Sequence, residues 1–181
     1  MQQTASAYPL SGVIMPTDLG RVPDPLAAMR HLPPGSIVIL RDGDHPDRAG
    51  WAAQLRLATR DAGHLLLIAN DRALARRVAA DGLHLSEARL GSIDPFGLTS
   101  AACHSLGAIR RAEKAGADLV LLSPVFPTES HPGGRTLGLH RARALADATP
   151  LPVFAMGGVT PSRTAMLGSA FAGFAAIGAF A

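Results

Sequence analysis

Two short turns near the C-terminal end of the chain have the residue types of an anion site. Gly157-Gly158 and Ile177-Gly178 each follow a short apolar run typical of a buried strand, and Thr160-Pro161 marks a helix start after the first turn. Glycine lets the backbone approach a ligand closely, and the N–H groups at a helix start attract anions. The pattern predicts a phosphate site formed by both turns; the alternative is that these glycines only allow tight turns.

A long polar loop after the sixth predicted strand, from Pro124 to Arg135, offers a second set of ligand groups. It contains hydroxyl, imidazole and guanidinium donors, which suit a phosphate: Thr128, Ser130, His131 and Arg135. Long loops in small domains often close over a ligand, so we expect a lid here. The alternative is a solvated surface loop.

Further chemistry-bearing side chains follow the predicted strands. Asn70-Asp71 supplies amide and carboxylate oxygens of the kind that bind Mg²⁺, although the pair is also an ordinary helix cap. A metal site needs a second carboxylate, for which Glu87 is a better candidate than Asp94. His104 is a candidate acid or base, or else only the residue that flanks the next helix. Arg41 is a candidate substrate contact.

Strand and helix patterns alternate along the chain and must position these residues. Eight apolar runs predict strands buried on both faces: Gly12–Pro16, Ile37–Arg41, Leu65–Asn70, Gly82–Leu85, Leu98–Cys103, Leu119–Val125, Pro152–Met156 and Gly173–Ile177. Helical patterns lie between them: Asp24–Leu32, Pro46–Ala62, Arg72–Ala80, Ser105–Ala117, Leu139–Ala148 and Pro161–Ala170. The alternation predicts an α/β fold, a TIM (β/α)8 barrel spanning residues 1–181 as one domain, with an open doubly wound sheet as the alternative.

The barrel is expected to be trimmed at two places. Twelve residues separate Leu85 from Leu98, so the fourth helix should be very short. The sequence stops directly after the eighth predicted strand, so helix 8 is expected to be missing. The apolar surface that this would uncover predicts a homodimer interface.

Composition narrows the function classes. The 16 arginines and one lysine are scattered rather than clustered, and aromatic residues make up 4%, which argues against a nucleic-acid interface. A net charge of +3 suits small anionic substrates. The single cysteine, Cys103, excludes an intrachain disulfide and fits a cytoplasmic protein. The apolar stretches are too interrupted for a membrane span, and the N-terminal residues lack signal-peptide features.

Four segments resemble the thiamine phosphate synthase and TenI family. They are LLLIANDRALARRVAADGLHL, HSLGAIRRAEKAGADLVLLSPVFPTESHPGG, LPVFAMGGVTPSR and GFAAIGAF, which together cover about the C-terminal two-thirds. The resemblance implies a TIM barrel that joins hydroxymethylpyrimidine diphosphate to thiazole phosphate, releases pyrophosphate and uses Mg²⁺.

The resemblance also implies roles by position. Asn70 and Asp71 match the family's contacts to the diphosphate and Mg²⁺, and Arg41 matches its arginine at the end of the second strand. Thr128 and Ser130 match hydroxyls of the loop after the sixth strand. The turns Gly157-Gly158 and Ile177-Gly178 match those that bind the thiazole phosphate.

The chain departs from the family pattern on the pyrimidine side of the site. Arg89 stands where the family has a second metal-binding aspartate, and Ile39 and Gly43 replace a glutamine and a lysine. A serine is expected near Ala102, and His131 replaces a lysine of the loop. The resemblance therefore predicts that the thiazole-phosphate half is retained and the pyrimidine half altered.

Three functions stay open. The first is a divergent synthase. The second is a TenI-type thiazole tautomerase, which needs an acid or base, His104 or His131, but no metal, although the family histidine falls at Ser123. The third is a non-catalytic barrel that binds phosphorylated thiazole or pyrimidine ligands.

Overall fold

Eight parallel strands close into a barrel in the computed structural model, which describes residues 10–94, 96–128 and 133–177. The strands are β1 Val13–Pro16, β2 Ile37–Leu40, β3 Leu65–Ala69, β4 Gly82–Leu85, β5 Leu98–Cys103, β6 Leu119–Leu122, β7 Val153–Met156 and β8 Gly173–Ala175. Each strand pairs with its neighbours in chain order, and β1 pairs with β8 through Val13↔Phe174 and Ile14↔Ala175. The closed sheet confirms the predicted TIM barrel and excludes the open sheet.

Six α-helices lie between the strands in the described part of the chain. They are α1 Pro25–Met29, α2 Arg48–Asp61, α3 Arg72–Arg77, α4 Leu106–Lys114, α5 Leu139–Asp147 and α6 Pro161–Thr164. A short 3-10 turn, Glu87–Arg89, stands between β4 and β5, as expected for a very short fourth helix. The prediction about helix 8 concerns residues after β8, and residues 178–181 lie outside the described residues. No described helix has the length and hydropathy needed to cross a bilayer.

The prediction of one helix over Pro161–Ala170 is wrong for the second half of that segment. Helix α6 ends at Thr164, and a 3-10 turn, Gly168–Ala170, follows. Gly168 has φ +68°, a left-handed conformation that an α-helix cannot contain, so the helix cannot run through it.

Buried side chains lie on both faces of the strands. Inside the barrel, the largest side chains come from several strands and pack against one another: Ile14, Ile37, Ile39, Leu67, Leu119, Leu121 and Phe154. Two further clusters fill the space between the strands and the helices on either side. This burial explains why the strand sequences are continuous apolar runs, and it leaves polar residues for the strand ends.

Side-chain caps fix where helices begin after strands. Asp47, Asp71 and Ser105 each accept a hydrogen bond from the backbone N–H three residues further along the chain, at 2.9, 2.8 and 3.2 Å. These caps satisfy N–H groups that the first helical turn leaves unpaired. They start α3 and α4 within three residues of the carboxyl ends of β3 and β5, and α2 after a longer loop that follows β2.

Candidate active site

Two cavities open at the carboxyl ends of the strands and meet each other. The turn cavity has a volume of about 540 Å³ and is lined by Arg21, Pro127, Thr128, Met156, Gly157, Gly158, Val159, Thr160, Pro161, Arg163, Ala175, Ala176 and Ile177. The mouth cavity has a volume of about 500 Å³ and is lined by Pro16, Ile39, Arg41, Ala69, Asn70, His84, Ser86, Ala102, His104, Leu121, Ser123, Pro124, Thr128, Gly134, Arg135, Thr136, Met156 and Gly157. Thr128, Met156 and Gly157 line both.

The turn after β7 requires glycine at two consecutive positions. Gly157 and Gly158 have φ +88° and +63°. A Cβ at position 158 would lie 2.1 Å from the carbonyl oxygen of Pro127, and one at position 157 would lie 2.8 Å from the Cα of Pro124. The segment after β6 therefore packs directly on this turn, which explains how two distant parts of the sequence form one wall.

The turn cavity contains groups of the kind that bind anions. Within the described part of the chain, the backbone N–H groups of Gly158, Val159 and Thr160 donate no hydrogen bond. Arg163 donates from Nη1 to the carbonyl oxygen of Gly158 at 2.7 Å and lies over a phenyl ring 5.2 Å away. Unpaired N–H groups beside fixed positive charge form an anion site. Helix α6 has only four residues, so the turn itself and not the predicted helix start supplies the donors.

Most of the residues predicted to bind phosphate come together, and the sequence analysis did not predict two arginines beside them. Gly157, Gly158, Ile177 and Thr128 all line the turn cavity, whereas Gly178 and Ser130 lie outside the described residues. Two arginines that the sequence interpretation did not place also line it, Arg21 from the β1–α1 loop and Arg163 from α6. Barrel closure brings Arg21 to this cavity, and no local sequence signal could have shown it.

Arg41 lines the mouth cavity, as predicted for a residue at the end of β2. Its Nη2 donates to Asp18 at 2.7 Å, and 40% of its side chain remains exposed. His84 is buried beside it, with Nδ1 2.9 Å from the hydroxyl of Ser100. Burial, and to a lesser extent the charge of Arg41, lowers the pKa of His84 to about 4. The imidazole of His84 is therefore neutral near pH 7.

His104 lines the same cavity and has a defined tautomer. Its Nδ1 lies 2.7 Å from the carbonyl oxygen of Ser123 and 3.3 Å from the hydroxyl of that residue. A carbonyl oxygen only accepts, so Nδ1 holds the proton and, in the neutral ring, Nε2 is the proton acceptor. His131, the other predicted acid or base, lies outside the described residues.

Asn70 and Asp71 lie at the end of β3, but only Asn70 lines the mouth cavity. Asn70 has φ +58°, and its Oδ1 accepts from the backbone N–H of Ser86 at 2.9 Å. Both carboxylate oxygens of Asp71 are engaged, Oδ1 by the N–H of Leu74 at 2.8 Å and Oδ2 by Arg48 at 3.0 Å.

The described residues do not fit Mg²⁺. Glu87 pairs with Arg111 at 2.6 Å and Asp94 with Arg72 at 3.3 Å, so an arginine already holds each predicted second carboxylate. No group of three histidine, cysteine, aspartate or glutamate side chains within the described ranges could hold a metal ion. Mg²⁺ is usually held by one or two carboxylates together with substrate phosphates and waters, and the described lining of the mouth cavity includes no carboxylate.

Comparison with known proteins shows which family the chain resembles in sequence. Residues 26–180 match the profile of the family described as thiamine monophosphate synthase. A thiamine-phosphate synthase from Methanoculleus marisnigri is 36% identical over 157 residues, which are 81% of this chain and 74% of that protein. One from Natronomonas pharaonis is 37% identical over 141 residues, which are 71% of this chain and 65% of that protein.

A solved structure shows the same fold. A thiamine phosphate pyrophosphorylase from Pyrococcus furiosus superposes with a TM-score of 0.73 at 24% identity, over 91% of this chain and 84% of that one. At that identity the likeness establishes the barrel alone. The profile match covers most of the sequence, from α1 to beyond β8. The chain therefore belongs to the thiamine monophosphate synthase family.

Proposed function

We propose that this protein joins hydroxymethylpyrimidine diphosphate to thiazole phosphate, forming thiamine phosphate and releasing pyrophosphate. The observation that supports this most is that the turn cavity and the mouth cavity meet at Thr128, Met156 and Gly157. Two anionic ligands, one in each cavity, can bring their rings together there while their phosphates stay apart. Holding two reactants in this way removes much of the entropic barrier to their reaction.

The reaction balances without any further reactant. The C–O bond between the pyrimidine methylene and the diphosphate breaks, and its electron pair leaves with pyrophosphate. The lone pair of the thiazole ring nitrogen forms the new C–N bond, so this nitrogen becomes quaternary. Because negative charge develops on the leaving pyrophosphate, fixed positive groups around it stabilise the transition state.

Backbone N–H groups bind the ligand in the turn cavity, and side chains bind it in the mouth cavity. The N–H groups of Gly158, Val159 and Thr160 bind the thiazole phosphate, with the positive charge of Arg163 behind them. In the mouth cavity, Arg41 supplies positive charge for the leaving pyrophosphate. Guanidinium groups suit this role because they stay charged and match phosphate oxygens in geometry.

The test is formation of thiamine phosphate from the two substrates, followed by chromatography. We expect product with the wild-type protein and strongly reduced product with Arg41→Gln. Arg110→Gln is the matched control, because Arg110 is an exposed α4 residue paired with Glu113 and the substitution removes the same charge. If the wild-type protein binds thiazole phosphate yet forms no product, the synthase proposal is wrong.

A second candidate, a thiazole tautomerase, is favoured by the position of His104. The family histidine of that activity corresponds in position to Ser123. His104 follows the neighbouring strand, and its Nδ1 lies 2.7 Å from the carbonyl oxygen of Ser123. With the proton fixed on Nδ1, Nε2 can take a proton from a ligand in the mouth cavity and return it.

Solvent exchange separates this second candidate from a non-catalytic binder. In heavy water, a tautomerase exchanges carbon-bound protons of thiazole phosphate for deuterium, and no metal is needed. Proton NMR detects the exchange as a loss of signal. We expect His104→Gln to stop this exchange while thiazole phosphate still binds. Binding without exchange in the wild-type protein, together with no thiamine phosphate formation, would identify a phosphate-ligand binder.

A further inference from the structure

The mouth cavity has an unusual balance of charge. Its described lining residues include Arg41, Arg135, His84 and His104 but no carboxylate. The protein side chains that bind Mg²⁺ are mainly carboxylates, usually one or two together with substrate phosphates. A diphosphate in this cavity would meet positive and neutral groups of the protein directly.

A guanidinium group already holds the carboxylate closest to the end of β3. Arg48 donates from Nη1 to Asp71 at 3.0 Å, from Nη2 to the carbonyl oxygen of Ala69 at 2.8 Å, and from Nε to that of Asp42 at 3.2 Å. Its side chain is 18% exposed. Three directed hydrogen bonds fix this guanidinium, and Asp71 also caps α3, so Mg²⁺ at Asp71 would have to share a carboxylate that an arginine and a backbone N–H already occupy.

We propose that the mouth cavity binds the diphosphate group through guanidinium groups of the protein and without a divalent cation. The proposal rests on the proposed function, because it concerns how the same cavity holds the same substrate. It replaces the metal that the family resemblance implies with charges that belong to this chain.

Arg41 is the central residue of this arrangement. It is anchored through Nη2 to Asp18, which leaves the other N–H groups of the guanidinium directed donors for phosphate oxygens. Its guanidinium lies close to His84, whose pKa is lowered chiefly by burial and to a lesser extent by the charge of Arg41. Arg135, exposed at the rim of the same cavity, adds a second positive charge.

Calorimetric titration with inorganic pyrophosphate tests the proposal directly. In buffer containing EDTA we expect the wild-type protein to bind pyrophosphate. Arg41→Gln should weaken this binding by about tenfold or more, as for the loss of a charged hydrogen bond. Arg110→Gln should bind like the wild type. Added Mg²⁺ should weaken binding, because it forms a complex with free pyrophosphate.

Two results would overturn the proposal. One is pyrophosphate binding that appears only when Mg²⁺ is present, and the other is an Arg41→Gln variant that binds as tightly as the Arg110→Gln control. Circular dichroism of both variants establishes that they are folded.

Product formation separates this proposal from the proposed function. Metal-free pyrophosphate binding without any thiamine phosphate formation would leave the guanidinium site standing and overturn the synthase. Thiamine phosphate formation that stops in EDTA and returns with Mg²⁺ would overturn the guanidinium site and leave the synthase standing.

Discussion

The turn cavity and the mouth cavity differ in the groups that they offer to a ligand. The turn cavity presents backbone N–H groups on a turn whose shape depends on Gly157 and Gly158. The mouth cavity presents side chains from the ends of several strands, among them Arg41 and His104. A backbone site keeps its chemistry as long as its glycines stay, whereas a side-chain site changes with every substitution. Two of the positions at which this chain departs from the expected family pattern, Ile39 and Ala102, line the mouth cavity.

The largest effect is expected from Gly158→Ala. The added Cβ would lie 2.1 Å from the carbonyl oxygen of Pro127, at a residue with φ +63°, so the turn or the loop must shift. We expect thiazole phosphate to bind about a hundredfold more weakly, equal to about 3 kcal/mol. Calorimetric titration with thiazole phosphate measures this change.

Gly63→Ala is the matched control for that experiment. Gly63 also has a positive φ, +68°, but nothing lies within 4 Å of an added Cβ, and the residue lies before β3 at the opposite end of the barrel. It should lose about 1 kcal/mol of stability through backbone strain and bind thiazole phosphate normally. Equal losses of affinity in both variants would mean that the turn is not the phosphate site.

The sequence predicts the site residues that form a local pattern, but not those that distant parts of the chain bring together. Gly157-Gly158 was identified from local pattern, because a strand, a glycine turn and a helix start are consecutive in the chain. The roles of Arg48 and Arg163 could not be predicted, since their contacts with Asp71 and Phe126 join residues more than 20 positions apart. The barrel itself was predictable because its strands are continuous apolar runs.

The next effect is a pH dependence of stability that arises in the mouth cavity. The pKa of His84 falls from 6.5 to about 4 on folding, chiefly through burial. Between these values the unfolded chain binds a proton that the folded protein does not, so stability decreases as the pH falls from 6.5 towards 4. The full loss is roughly 3 kcal/mol, at about 1.4 kcal/mol per pKa unit.

Denaturant unfolding at a series of pH values measures this contribution. In His84→Gln, the decrease between pH 6.5 and 4 should be smaller than in the wild-type protein, because glutamine does not titrate. His31→Gln is the control at an exposed histidine and should keep the wild-type profile. Identical pH profiles for all three proteins would show that His84 is not held neutral by the fold.

A smaller effect on the turn cavity is expected from Arg163→Gln. The substitution removes the 2.7 Å hydrogen bond to the carbonyl oxygen of Gly158, the contact over the Phe126 ring and one positive charge. We expect thiazole phosphate to bind about tenfold more weakly, with a weaker dependence on salt concentration. If the variant binds thiazole phosphate as tightly as the wild type, Arg163 does not contribute and the backbone N–H groups alone bind the phosphate.

The smallest effect is expected from Asp71→Asn, which tests whether the mouth cavity uses a metal. Asparagine caps a helix as well as aspartate does, so the hydrogen bond to the N–H of Leu74 can be kept. The ion pair with Arg48 is lost, but it is partly exposed and should contribute less than about 1 kcal/mol. Pyrophosphate affinity should change by less than about threefold, with or without Mg²⁺, because a cap residue does not touch the ligand.

Asp71→Ala separates the cap from any ligand role in the same experiment. Alanine cannot accept the hydrogen bond from Leu74, so thermal unfolding should show a further loss of about 1 kcal/mol relative to Asp71→Asn. Pyrophosphate should still bind in EDTA, because Arg41 is untouched. If instead Asp71→Asn were as stable as the wild type but lost Mg²⁺-dependent pyrophosphate binding, the carboxylate would be a metal ligand. The mouth cavity would then work through a bound cation and not through its arginines.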